Sequence, residues 1–189
     1  EIVLINDPYD VESRYHLGIS HFHSKQYNDA IEELTQVLLL YPEYQETYYY
    51  LGFSYLMIND ENRAKESLNR VILNNPQNGE AHYLLGTIYE NILNQEKAIE
   101  SYSKAMKFSP NYFNSYKRLG LIYYNKEEYR DAMKYLREYI IHNPDSINIL
   151  NTLGDIFIKE NRYQEIIDTY NRLLLIEKDN TDYYNYIAQ

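Results

Sequence analysis

The sequence predicts an all-α fold, a solenoid of antiparallel helix pairs, and three observations carry that prediction. Five of the six glycines, Gly18, Gly52, Gly86, Gly120 and Gly154, stand 34 residues apart without an insertion. A fixed period of this length is the sequence signature of a repeat array. The five prolines, Pro8, Pro42, Pro76, Pro110 and Pro144, keep the same period. Between these marks run uninterrupted stretches of Leu, Glu, Lys and Ala, which are good helix formers. Six glycines and five prolines in 189 residues are also too few for a β fold that must turn every ten residues.

With each glycine placed at position 8, the repeats run 11–44, 45–78, 79–112, 113–146 and 147–180. Position 7 is Leu17, Leu51, Leu85, Leu119 and Leu153, and position 11 is His21, Tyr55, Tyr89, Tyr123 and Phe157. Position 20 is Ala30, Ala64, Ala98 and Ala132, then Ile166. Position 24 is Leu34, Leu68, Tyr102, Leu136 and Tyr170, and position 32 is proline in the first four repeats and Lys178 in the fifth.

Each repeat shows two helical patterns, roughly positions 1–14 and 17–31, split by a polar turn such as Asn59-Asp60 or Lys126-Glu127. Glycine at 8 and alanine at 20 are expected to face each other where the helices approach, with positions 7, 11 and 24 filling the space around them. Proline at 32 cannot continue a helix, so it ends the second one. One helix pair cannot bury its own apolar face and is stabilised by stacking on its neighbours. With Ile166 and Lys178 in place of alanine and proline, the fifth pair is expected to pack less closely and to leave through a gentler turn. Residues 1–10 fit the end of a preceding repeat, and residues 181–189 fit the start of a following one, with Tyr184 at position 4 and Ala188 at position 8. The expectation is one domain over 1–189, an excerpt from a longer array.

Charge narrows the partners. With 28 acidic and 18 basic residues the net charge is −10, which repels phosphate backbones and anionic membrane surfaces, and no basic block offsets it locally. The absence of cysteine removes disulfides, thiolate metal sites and a cysteine nucleophile, and leaves the compartment open between cytoplasm and periplasm. The apolar run at residues 2–5 is far too short for a signal-peptide core or a membrane span.

Chemistry is sparse. His16 and His23 lie seven residues apart, about 10 Å along a helix and too far to share an ion. His21 and His82 occupy the structural positions 11 and 4, so no metal is expected. Adjacent carboxylates such as Glu32-Glu33 and Glu127-Glu128 project in different directions. No nucleophile elbow occurs, and Gly79 alone makes no phosphate-binding loop. Neither a catalytic constellation nor a cofactor is expected.

The pattern of Leu-Gly at 7–8, a large residue at 4, an aromatic at 11, Ala at 20 and Pro at 32 resembles the tetratricopeptide repeat across nearly the whole chain. That resemblance implies a right-handed α-α superhelix whose first helices line a concave groove, with positions 2, 5, 6, 9, 12 and 13 commonly facing a ligand. Carried over, those positions give Tyr15, His16, Ile19, Phe22 and His23 in the first repeat, and Tyr49, Tyr50, Phe53, Leu56 and Met57 in the second. The third supplies Tyr83, Leu84, Thr87, Glu90 and Asn91, the fourth Lys117, Arg118, Leu121, Tyr124 and Asn125, and the fifth Asn151, Thr152, Asp155, Ile158 and Lys159. Position 2 adds an acidic rim from Glu12, Glu46 and Glu80. The family's clamp for a peptide's terminal carboxylate is not matched: Arg118 fits, but Asn114 and Leu84 stand where other members of the set belong.

The resemblance implies a non-catalytic scaffold that binds a peptide or helical segment of another protein, apolar or aromatic with an acidic group for Lys117 and Arg118. Neither nucleic acid nor membrane insertion is expected. Self-assembly through stacked terminal repeats, giving a homo-oligomer, and service as the recognition arm of a larger enzyme are the alternatives.

Overall fold

The structure is a computed structural model describing residues 10–187. Among these residues there are eleven helices and no strand: α1 (Val11–His23), α2 (Tyr27–Leu40), α3 (Thr47–Met57), α4 (Glu61–Asn74), α5 (Gly79–Asn91), α6 (Gln95–Phe108), α7 (Asn114–Asn125), α8 (Tyr129–His142), α9 (Ile147–Lys159), α10 (Tyr163–Ile176) and α11 (Asp182–Ile187). The contacts gather into two compact parts, Glu1–Ser109 and Pro110–Gln189. The segment expected to end a preceding repeat lies, apart from Asp10, outside the described residues, as does Ala188.

In every repeat the second helix covers positions 17–30 and the first ends at position 13. Position 31, which precedes the proline in the first four repeats, leaves the helical conformation in each case, with φ −141° and ψ 88° at Tyr41 and φ −131° and ψ 90° at Asn75. The proline ring clashes with an α-conformation in the residue before it, so the helix stops there. The fifth repeat keeps this geometry without a proline, since Glu177 has φ −114° and ψ 78°. Its exit is therefore as sharp as the others, contrary to the sequence expectation. The Glu177 carboxylate accepts hydrogen bonds from Tyr183 Oη at 2.6 Å and Asn180 Nδ2 at 3.2 Å, which tie the turn to α11 in place of the ring.

The turn between paired helices has a constant feature that the sequence conceals. Lys25, Asn59, Leu93, Glu127 and Asn161, all at position 15, have φ between 55° and 61°. This left-handed conformation favours glycine or asparagine and strains the other residues.

Within each pair, the glycine at 8 sits beneath the side chain at 24. A methyl group added at Gly18, Gly52, Gly86 or Gly120 would come within 2.5–2.7 Å of Leu34, Leu68, Tyr102 or Leu136. Position 24 rather than alanine at 20 thus makes the closest approach, because the long side chain folds down across the helix crossing. At Gly154 the nearest atoms of Tyr170 are 3.0 Å away, so the fifth pair is the more loosely closed one. Gly79 is also a packing glycine: a methyl group there would run into the side chain of Ser109.

The core of the first part joins Ala30, Leu34, Leu51, Ala64, Leu68, Leu85 and Ile88. That of the second joins Ala132, Leu136, Leu153, Ile156, Tyr170 and Leu173. In the first part, consecutive first helices also touch, α1 with α3 and α3 with α5. This contact builds the face described next.

Candidate functional site

The stretch Glu46-Thr-Tyr-Tyr-Tyr-Leu-Gly52 opens α3 and separates by helix geometry. Thr47, Leu51 and Gly52 are buried, while Tyr48, Tyr49 and Tyr50 are half-buried and pack against the core of the first part. At 100° per residue the three tyrosines fan out over different surfaces. Tyr48 lines a recess with Pro42 and Arg70, at the edge formed by the second helix. Tyr49 and Tyr50 line another with Tyr15, Glu46 and Glu80, on the side of the first helices.

That second recess has a volume of about 400 Å³ and brings together five residues expected from the sequence, three tyrosines and two carboxylates of the acidic rim. Its walls are tied by ring contacts. Tyr15 lies 4.7 Å from Tyr44 and 6.2 Å from Tyr50, centroid to centroid, and Tyr49 meets Tyr50 edge-on at 5.4 Å. Tyr50 continues the row to Phe22 at 5.2 Å, and Phe22 to Phe53 at 5.0 Å. Edge-to-face contacts of this kind are favourable beyond area burial and hold the rings in place. Burial, with smaller contributions from Tyr50, Tyr44 and Glu46, pushes the Tyr15 hydroxyl up to about 12. Tyr44 is raised for the same reason, burial first and then Glu12 and Glu46.

About one turn beyond Phe53 on α3 stands Met57, 43% exposed. Ile19, Tyr83 and Thr87 are half-buried, and Asn91 is exposed at the end of α5. Leu56 and Leu84 are buried in the core, contrary to the carried-over positions. Both sit where neighbouring first helices press together, so the adjoining repeat covers them. Thr87 and its neighbour Glu90 face Tyr102, whose hydroxyl donates to Glu90 at 2.8 Å and lies 3.3 Å from Thr87 Oγ1. A buried tyrosine at position 24 must find a polar partner for its hydroxyl, and this was the available signal that Thr87 serves the fold as well as the surface.

In the second part Lys117, Arg118 and Leu121 are half-buried and Asn125 is exposed. The Lys117 ammonium lies 5.7 Å from the Tyr139 ring centre. Beyond them Tyr124 donates a hydrogen bond to Asp155, which holds the phenol above its ordinary range, and Lys159 reaches Asp155 at 3.5 Å and Tyr129 Oη at 3.2 Å. This surface is polar and internally paired, unlike the aromatic one.

Sequence reasoning missed the contributions of the second helix α4 and of the turn that follows it. Val71, Asn74, Asn75 and Asn78 complete the recess, and Tyr44 props Tyr15 from behind. A search restricted to first-helix positions omits them, although asparagine recurs at the end of α4. The histidines are structural or exposed: His82 is buried with Nε2 3.0 Å from the Pro76 carbonyl, and exposed His16 lies 3.9 Å from Glu12. Among the described residues no helix is long and apolar enough to cross a membrane.

Paired helices in 34-residue register, closed by a glycine beneath position 24, define a class of helical-repeat protein that exposes its first helices. Tetratricopeptide-repeat family models match residues 21–88 and 117–183, and a TPR-repeat model matches 94–127. The chain belongs to the tetratricopeptide-repeat family, and its fold is the all-α solenoid of that family. A crystal structure of MamA is similar at 33% identity, with 75% of this chain and 83% of that chain covered and a TM-score of 0.69. YrrB, described as a TPR protein with an unusual peptide-binding site, is similar in fold at 14% identity, 99% and 96% coverage and a TM-score of 0.74. The pilF protein of Pseudomonas aeruginosa is similar in fold at 15% identity, 88% and 76% coverage and a TM-score of 0.74. No curated protein matches the chain. Family and neighbours support a protein-interaction scaffold, a role that is typically non-catalytic.

Proposed function

We propose that this chain is a non-catalytic binding module that lays an extended or helical segment of a partner protein along its first-helix face. The observation that carries this reading is the continuous aromatic row Tyr44–Tyr15–Tyr50–Phe22–Phe53, with exposed Met57 about one turn beyond Phe53 on α3. Tyrosine, phenylalanine and methionine are enriched in protein interfaces, where rings held by their neighbours bury area at small entropic cost. Tyr83, Thr87 and Asn91 extend the surface on α5. In the second part, taken by itself, a segment bound along α7 would meet Lys117 and Arg118 with an acidic group, and Leu121 and Asn125 stand on the same helix. A peptide-binding site is attributed to YrrB, which shares the fold; peptide binding by this chain is our proposal.

The test uses peptides selected from a random 12-residue display library on the purified protein. The comparison is a Tyr50→Leu/Phe53→Leu variant, which keeps apolar volume and removes the rings. Because both rings also pack within the fold, the variant is first matched to wild type by circular dichroism and thermal melting. The reading expects at least tenfold weaker binding by the variant, about 1.4 kcal/mol; equal affinity overturns it.

A further inference from the structure

We infer that the recess walled by Tyr15, Tyr49 and Tyr50 and rimmed by Glu46 and Glu80 takes a lysine or arginine side chain of the partner segment. This inference rests on the reading that the first-helix face binds a polypeptide. It adds a chemistry that the aromatic row alone does not require.

The first support is unspent negative charge. Several carboxylates elsewhere in the described residues meet cations: Arg14 with Glu33 at 2.5 Å, Arg63 with Asp60 at 2.6 Å, Lys104 with Glu100 at 2.6 Å and Lys159 with Asp155 at 3.5 Å. Glu46 and Glu80 form no ion pair among the described residues, and no lysine or arginine lines the recess. Two carboxylates at the mouth of one concavity focus a negative potential there.

The second support is the behaviour of tyrosine in this chain. Arg63 lies 4.5 Å from the Tyr55 ring centre, Lys97 5.5 Å from Tyr89, Lys126 5.6 Å from Tyr123 and Lys134 5.1 Å from Tyr135. Among the described residues no cation stands over Tyr15 or Tyr50. The recess therefore presents the aromatic walls and the carboxylates of a cation site, with no lysine or arginine among its lining residues. The upward-displaced hydroxyls of Tyr15 and Tyr44 agree with a site that disfavours further negative charge. Arginine or lysine fills it with the stem along the rings and the charged head at Glu46 and Glu80.

The same random 12-residue library tests this on wild type, on Glu46→Gln/Glu80→Gln and on Glu32→Gln/Glu96→Gln. The last makes the same charge change at exposed positions away from the recess. The inference expects lysine or arginine at a fixed offset from the apolar anchors of peptides selected on wild type and on the Glu32/Glu96 variant, and loss of that preference on the Glu46/Glu80 variant. In the strongest peptide, replacing the basic residue by norleucine weakens binding at least tenfold at low salt, and the difference shrinks as salt rises. Apolar peptides selected equally on all three proteins, without a basic position, overturn the inference and leave the groove reading standing. Failure to select any peptide sensitive to Tyr50→Leu/Phe53→Leu overturns both. Sedimentation velocity adds one more outcome: a dimer that forms with wild type and is lost in Glu46→Gln/Glu80→Gln assigns the recess to a second copy and overturns the inference.

Discussion

At the residue scale, one contact sets the separation of each helix pair, the glycine at 8 beneath the side chain at 24. A methyl group at Gly120 would lie 2.5 Å from Leu136 Cδ2 and 3.2 Å from the Leu136 amide nitrogen, so both side chain and backbone must move. Gly120→Ala is expected to destabilise by about 1–3 kcal/mol, the range for overpacking a close contact. Gly154→Ala meets only the ring end of Tyr170 at 3.0–3.1 Å and is expected to cost distinctly less. Urea melts of the two variants check the order, and a larger loss at Gly154 contradicts the packing described. The glycine period was plain in the sequence. What it faced was not, because alanine at 20 recurs more uniformly than the Leu/Tyr mixture at 24, and a small uniform residue reads as the partner of a small uniform residue.

At the scale of the element, helix limits were legible because proline restricts the residue before it, and the first four second helices obey this at the same position. The exception, Glu177, was not legible, since a carboxylate that replaces a proline does so through Tyr183 and Asn180, which must first be brought near it. Turn conformation was equally hidden. Position 15 is left-handed in all five repeats, yet it carries Lys25, Leu93 and Glu127 beside two asparagines, and no turn glycine marks it. Leu93 combines φ 59° with 87% exposure, so it bears the strain without a packing contact to offset it. Leu93→Asn is expected to stabilise by about 1 kcal/mol. A lower thermal midpoint for that variant contradicts the assignment of strain.

At the scale of the molecule, buried tyrosines connect stability to pH. Burial, with smaller contributions from neighbouring tyrosines and acids, pushes the hydroxyls of Tyr15 and Tyr170 up to about 12. A phenol raised in the fold above its ordinary 10.0 favours the native state in its neutral form. Its contribution is complete below pH 10 and is lost as pH rises towards 12. Helix content should therefore fall between pH 10 and 12 together with the last phase of tyrosinate absorbance, and Tyr170→Phe should move the second part's transition to higher pH. Titration of every tyrosine near pH 10 with helices intact contradicts this. The candidate site was partly legible on the same scale. Helical periodicity and the family pattern placed Tyr15, Tyr49 and Tyr50 on one surface. They could not show that Leu56 and Leu84 vanish under the next repeat, or that Asn74 arrives from the second helix α4 and Asn78 from the turn that follows it, because both depend on how repeats stack.

The claim that a partner lies along the first-helix face is most directly tested through the three methionines. Met57 stands on α3 about one turn beyond Phe53, whereas Met106 and Met133 stand on the second helices α6 and α8. With methyl-labelled methionine and a library-selected peptide, the Met57 methyl resonance should shift in proportion to occupancy while those of Met106 and Met133 stay in place. Shifts at Met106 or Met133 with Met57 unchanged would put the ligand on the opposite face and contradict the account.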